Sequence, residues 1–415
     1  MTMSTGGLRG TKVSAVLANF GLVALGVACL LVALAMDVHW SERHFLPVWT
    51  WTWETQLRIV LILRLLIGTV GLVLVFLLRP WLVQACLAGR ALSALGSIAR
   101  VVLAVLAALV ATELILRTQT WRAAQEQFGL VDPLRIPDGE FGWSFAANRA
   151  ATVMLDGRPV HYATGPFGYR AARVGAVPDF TRSTIVIAGE SIVFGYGLDW
   201  PDTIPAQVQA KTGIQTANIG VNAQATDQVY MRLRRELPRF KRPVAVVIPF
   251  MPRLLDRNLD VDKPYLDAAL RWHAAGPPPI RLVELTRRLL RYRDPADIAR
   301  GEATTSAVLK GAIAAAEARG ARAIVLVPQY LPEEPVERRI RHEVLDRAGI
   351  PYLLVPIPPQ WRSPTHYHPT REGALRIAER ISEDLSNNDK AILVDADHHM
   401  VTHMGSILMG EHSGG

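Results

Sequence analysis

Residues Thr184–Ala188 read TIVIA and run straight into Gly189-Glu190-Ser191, and this stretch decides the fold. A short, almost wholly apolar run without polar alternation is the pattern of a strand buried on both faces. Four later runs repeat it: Gln215–Ile219 (QTANI), Val244–Phe250 (VAVVIPF), Ala321–Val327 (ARAIVLV) and Tyr352–Val355 (YLLV). Helix-like amphipathic stretches lie between them, around 203–212, 227–237, 306–319 and 336–348. A last one, around 371–385, carries Ala374, Ile377, Ala378, Ile381 and Leu385 at helical spacing. Buried strands alternating with helices predict an α/β domain over 182–387, a three-layer α/β/α flavodoxin-like sandwich with a central parallel sheet.

Outward from this domain the pattern weakens. Residues 118–181 form a lead-in without clear periodicity, with room for an extra strand or two. The stretch 252–301 reads as an insertion with a Pro-rich loop (GPPPI, Gly276–Ile280), expected to lie over the strand ends. The polar, His-containing tail, 388–415, is expected to be flexible.

The first 117 residues are of another kind. Half of the 415 residues are hydrophobic and 20% are charged, which excludes disorder as the main state. Most of the apolar excess lies before about residue 117. Three transmembrane helices are expected there, at 13–36, 59–78 and 98–116, the first with no charge over 24 residues. Arg64 falls near the first turn of the second span, where its side chain can snorkel to the interface. The stretch 80–97 is apolar but centred on Arg90, and reads as an interfacial or cytoplasmic connection.

Of the net charge of +8, Met1–Arg117 contributes +5, from nine basic and four acidic side chains. Arginines at membrane edges fix orientation and argue little for nucleic acid, for which no motif is present either. Arg9 and Lys12 precede the first span, Arg79, Arg90 and Arg100 lie between the second and third or at their edges, and the Trp-rich stretch 37–58 is mixed in charge. The positive-inside rule then puts the N-terminus in the cytoplasm and everything after Leu116 outside it, at the cytoplasmic membrane. Both cysteines, Cys29 and Cys86, fall in this apolar part, so the globular part has no disulfide and no cysteine-held metal.

Four stretches could carry chemistry. Ser191 follows the first strand, at the carboxyl edge where open α/β sheets place their ligands. Asn218-Ile-Gly220-Val-Asn222-Ala223 ends the second strand with small residues, which let backbone N–H groups approach a bound oxygen. Arg253 and Asn258 follow the third strand. His368, within Thr365-His366-Tyr367-His368-Pro369, stands before the last helix, from where a histidine can reach the serine as general base. His366 and His368 form His-x-His, and the tail adds His398, His399 and His403. Without a carboxylate pair beside them the expectation is no metal and no cofactor.

In this order the four stretches resemble those of the SGNH hydrolase superfamily, the GDSL lipases and esterases, over about Ala163–Leu385. Ser191 matches the nucleophile, with Glu190 where the family usually has Asp. NIGVNAQATDQ is similar to the second block, HPTREG to its His-Pro-Asn-x-x-Gly ending, and GPFGYRAARV to the approach of membrane-anchored members. The resemblance implies Ser191 as nucleophile and His368 as base, with the N–H groups of Ser191 and Ala223 holding an oxyanion. Arg253 stands at the place of the family's asparagine, unless Asn258 is aligned, and would donate to the oxyanion or bind an anionic group. The acid that orients the base falls on Thr365, or on His366 if the spacing is two. The function so implied is hydrolysis of an acyl or acetyl ester of a cell-envelope lipid or carbohydrate. Acyl transfer to a polysaccharide, which would need a membrane partner protein, and a silent binding or scaffold domain are the alternatives.

Overall fold

The computed structural model describes residues 5–47, 52–118, 133–276, 280–283, 285 and 291–388. Its contacts divide the chain into two compact units, residues 1–125 with 279–293, and residues 126–278 with 294–415. The tail from residue 389, with His398, His399 and His403, lies outside the described residues.

The first unit is built of α1 (Thr5–Ala35), α2 (Val38–His44), α3 (Trp53–Val73), α4 (Arg79–Leu87) and α5 (Ala91–Leu116). Among the described residues three helices are long and apolar enough to cross a membrane: Lys12–Ala35, Trp53–Leu87 and Gly96–Leu116. The second is longer than its apolar run suggests, because a π turn at Leu74–Leu78 joins α3 to α4. A proline within a helix removes one N–H and crowds the preceding turn. The widened turn just before Pro80 accommodates both, so the chain stays helical to Leu87.

Small residues bring α1 and α3 together. A Cβ added at Gly26 or at Gly71 would lie 2.8 Å from the carbonyl oxygen of the other. Arg64 turns to α1 and donates to Ala33 O at 2.9 Å, using a carbonyl left over at a helix end, and Arg79 donates to Asn19 at 2.6 Å. Part of the expected insertion also belongs to this unit. The Arg281 and Leu282 N–H groups donate to Glu113, the Leu46 N–H donates to Arg291 O, and Tyr292 stacks on His44.

The second unit holds a five-stranded parallel sheet made of β5 (Ser183–Ile187), β6 (Gln215–Asn218), β7 (Arg242–Pro249), β10 (Arg322–Tyr330) and β11 (Leu353–Ile357). Its order is β11-β10-β7-β5-β6. Counted among these five strands that is 2-1-3-4-5, the flavodoxin-like order. The direction of winding reverses between β5 and β7, so right-handed crossovers put helices on both faces. Accordingly α7 (Ile204–Thr212) packs with α11 (Arg371–Asn388), and α8 (Thr226–Glu236) with α9 (Pro295–Glu317). The short α10 (Pro335–Arg341) precedes β11. Ile185, Ile187, Val247, Leu326 and Val355 are buried between these layers. The three-layer α/β/α sandwich is therefore present.

Before the sheet, the chain forms two antiparallel hairpins, β1 (Arg135–Asp138) with β2 (Gly142–Phe145) and β3 (Ala150–Leu155) with β4 (Arg158–Ala163). A third, small pair is β8 (Tyr265–Leu266) with β9 (Trp272–His273). The β3–β4 turn is Asp156-Gly157, with φ of +49° and +75°, the backbone that a two-residue hairpin loop needs. Phe145, Val160 and Tyr162 pack against Phe194 and Val221, which fastens the hairpins to the loops after β5 and β6. Buried Arg170 adds to this by donating to the carbonyls of His161, at 2.9 Å, and Leu198, at 3.3 Å.

Candidate active site

Ser191 opens α6 (Ser191–Phe194), the single helical turn after β5. The strand can turn so sharply because residue 189 is glycine. A Cβ there would lie 2.5 Å from Val193 and 2.7 Å from Pro249. Glu190 caps the turn by accepting from the Ile192 N–H at 3.1 Å, and Gly195, at φ +83°, ends it. Asn218, at the end of β6, donates to Val193 O at 2.9 Å and accepts the Gly220 N–H at 3.0 Å. Ser191 is thereby held at the carboxyl edge of the sheet, beside the point where the strand order reverses.

The second stretch differs from its expected use at one position. The Gly220 N–H is taken by Asn218, and a Cβ there would lie 2.9 Å from the Phe194 nitrogen. Its smallness serves close packing under α6 rather than a bound oxygen. Asn222 accepts from the Trp143 indole through its backbone carbonyl at 2.9 Å. Ala223 is exposed and left-handed, at φ +63°. Among the described residues neither its N–H nor that of Ser191 is engaged in a hydrogen bond.

His368 comes from the loop before α11 and brings Nε2 to 2.8 Å from Ser191 Oγ. On the other side of the ring, Nδ1 lies 2.9 Å from His366 O and 3.2 Å from His366 Nδ1. His366 Nε2 in turn lies 3.3 Å from Asp156 Oδ2. Asp156 also accepts from Ser363 Oγ, at 2.8 Å, and from Thr365 Oγ1. Of the two expected orienting residues, His366 touches the His368 ring, whereas Thr365 holds the carboxylate behind it. The Tyr196 ring packs on both imidazoles, with centroids at 5.3 and 4.8 Å.

The electrostatics follow from burial. Burial, then His366 and Arg257, push the His368 imidazole down to about 3, which leaves it neutral and able to accept a proton. Burial also lowers His366, against the pull of Asp156. Burial raises Asp156, but the Thr365 and Ser363 hydroxyls and the neighbouring His366 and Arg158 outweigh it and hold the carboxyl below its ordinary value.

Arg253 does not take its expected place. Its guanidinium donates to both carboxylate oxygens of Glu337 at 2.9 Å and lies 3.3 Å from Glu334. A largely buried cation needs such counter-charges, and they occupy the fork that an anionic ligand would use. Asn258 is also committed, accepting from the Thr226 N–H at 2.9 Å and donating to Thr305 at 2.6 Å.

Two carboxylates escaped the sequence reading. Glu190 stands in the sequence as a replacement for Asp, yet its Oε2 lies 2.6 Å from Ser191 Oγ, and it is only 7% exposed. Asp156 lies far outside the four stretches. The signal that could have found it is Asp-Gly between ATVML and RPVHYA, a hairpin turn by residue type. Among the described residues no group of three or more His, Cys, Asp or Glu side chains could hold a metal ion.

No family model matches the chain, and no curated protein matches it. Solved structures do. One is a member of the lipolytic G-D-S-L protein family from Veillonella parvula, 13% identical, over 49% of this chain and 98% of that one, at a TM-score of 0.29. A carbohydrate esterase is 10% identical over 52% of this chain and 68% of its own, at 0.33. An SGNH-hydrolase family esterase is 18% identical over 52% of this chain and all of its own, at 0.27.

Proposed function

We propose that the chain is a membrane-associated serine ester hydrolase of the SGNH type, with Ser191 as nucleophile and His368 as general base. The observation that carries this reading is the 2.8 Å contact between Ser191 Oγ and His368 Nε2 at the ligand-binding edge of the sheet. Ser191 Oγ attacks the acyl carbon while its proton passes to His368 Nε2. The open N–H groups of Ser191 and Ala223 receive the developing oxyanion, a contribution of about 2.7–4 kcal/mol for each donor in a formed site. Collapse breaks the ester C–O bond, and the departing alkoxide takes the proton from His368. Water, deprotonated by the same ring, then attacks the acyl-serine and releases the acid and free Ser191.

The substrate class we propose is an acyl or acetyl ester of a cell-envelope carbohydrate or lipid. The three long apolar helices support a place at the membrane, and the distribution of basic residues supports an extracytoplasmic second unit at the cytoplasmic membrane. The test is hydrolysis of a short-chain aryl ester by the full chain in detergent, together with labelling by a serine-directed fluorophosphonate. Ser191→Ala is expected to lose the label and to lower kcat by at least about 10³-fold. Unchanged turnover in that variant would remove Ser191 as nucleophile, and wild-type protein that takes no label would favour a silent binding domain.

A further inference from the structure

We infer that Asp156, at the tip of the β3–β4 hairpin, is the anionic positioning residue of this site and acts on His368 through His366. The inference rests on reading Ser191 and His368 as nucleophile and base. One donor sense satisfies the whole row. With the Ser191 hydroxyl turned from Glu190 Oε2, 2.6 Å away, to His368 Nε2 at 2.8 Å, the His368 Nδ1–H donates to His366 O and Nδ1, at 2.9 and 3.2 Å, and the His366 Nε2–H to Asp156 Oδ2 at 3.3 Å. His366 Nδ1 also accepts the His368 backbone N–H at 3.4 Å, which fits a lone pair on that atom.

A base that takes a proton becomes an imidazolium, and a carboxylate behind it both holds the tautomer and stabilises the charge. Here His366, not a carboxylate, stands at 2.9 and 3.2 Å from His368 Nδ1. The other acid at the site, Glu190, lies against the Ser191 hydroxyl on the opposite side. His366 fills the gap as a polarisable spacer: its Nε2–H is drawn to Asp156, which makes Nδ1 a better acceptor for His368. No proton need move beyond His368.

The surroundings keep this arrangement. The Ser363 and Thr365 hydroxyls fix the Asp156 carboxylate, and Tyr196 lies edge-on to His366. A Cβ at Gly197 would lie 2.7 Å from His366 Cε1, so the glycine leaves room for the ring. Thus the hairpin preceding the α/β sandwich supplies the charge that the loop before α11 lacks.

The experiment compares Asp156→Asn, Asp156→Glu, His366→Phe and the Asp156→Asn/His366→Phe double variant in the full chain, by kcat and KM on an aryl acetate and by the fluorophosphonate labelling rate. Asp156→Asn is expected to lower kcat and the labelling rate about 10–100-fold, short of the ~10⁴-fold cost of an acid bonded directly to the base. KM should stay within about twofold, and Asp156→Glu should recover part of the loss. The double variant should be no slower than His366→Phe alone, because the two residues act as one unit.

Wild-type labelling and turnover in Asp156→Asn, or losses that multiply in the double variant, would overturn the inference while leaving Ser191 as nucleophile. Absence of label in the wild type would instead remove the reading on which it rests, and the inference with it. Should Asp156→Asn fail to fold, the other single variants decide: the inference requires His366→Phe to fall and Asp156→Glu to stay within about tenfold of wild type.

Discussion

The Ser191 hydroxyl has one proton and two neighbouring acceptors, His368 Nε2 at 2.8 Å and Glu190 Oε2 at 2.6 Å. Only the first direction readies the oxygen for attack with the imidazole as base. Glu190 competes for the proton, and among the described residues its second oxygen is buried without a hydrogen-bond partner. The Ile192 N–H and the Ser191 hydroxyl share Oε2, so Glu190→Gln keeps an oxygen for both but removes its charge, which weakens the competing bond and favours the hydroxyl proton on His368. A hydrogen bond competed away is a matter of about 0.5–1.5 kcal/mol, so kcat at neutral pH should rise about 2–10-fold. Steady-state kinetics on the aryl ester check this. A tenfold fall would mean that the carboxylate itself takes the proton.

At the scale of elements, the turn after β6 carries a cost that the sequence hides. Ala223 is left-handed at φ +63°, where a side chain costs about 1–2 kcal/mol and glycine almost nothing. Glycine's greater freedom in the unfolded chain returns about 0.5–1 kcal/mol of that. Ala223→Gly is therefore expected to raise the thermal midpoint by about 1–3 °C. A lowered midpoint would show that the alanine methyl group has contacts that outweigh the strain. The five strands of the sheet were legible because each is a short apolar run, and β5 and β7 come within a residue or two of their expected bounds. The lead-in hairpins were not, because one face of β3 is solvated and its burial alternates residue by residue over only six positions. Its clearest mark was the turn, Asp156-Gly157, not the strands.

For the molecule as a whole, the site makes folding sensitive to acid. Burial holds His368 at about 3 and lowers His366 as well, whereas both imidazoles stand near about 6.5 in the unfolded chain. Below about pH 6.5 the unfolded chain therefore binds protons that the folded chain does not, and stability falls as pH falls through that window. Asp156 acts in the same direction at lower pH, since its folded carboxyl is held below the ordinary value. The thermal midpoint should drop between pH 7 and pH 5 in the wild type and drop less in His368→Gln. Equal slopes would exclude His368 as a source.

The amino-acid sequence alone determined the two kinds of chain, the three long apolar helices, the alternation that builds a parallel sheet, and the serine and histidine at the two ends of that pattern. These are read from residues near one another, since hydrophobic period and turn chemistry are local properties. Tertiary structure decided which charges meet: Arg253 with Glu337, Glu190 against the serine hydroxyl, and Asp156 behind His366 from 210 positions earlier in the chain. Such pairings depend on where the folded backbone carries each group, and no spacing within a single stretch encodes that.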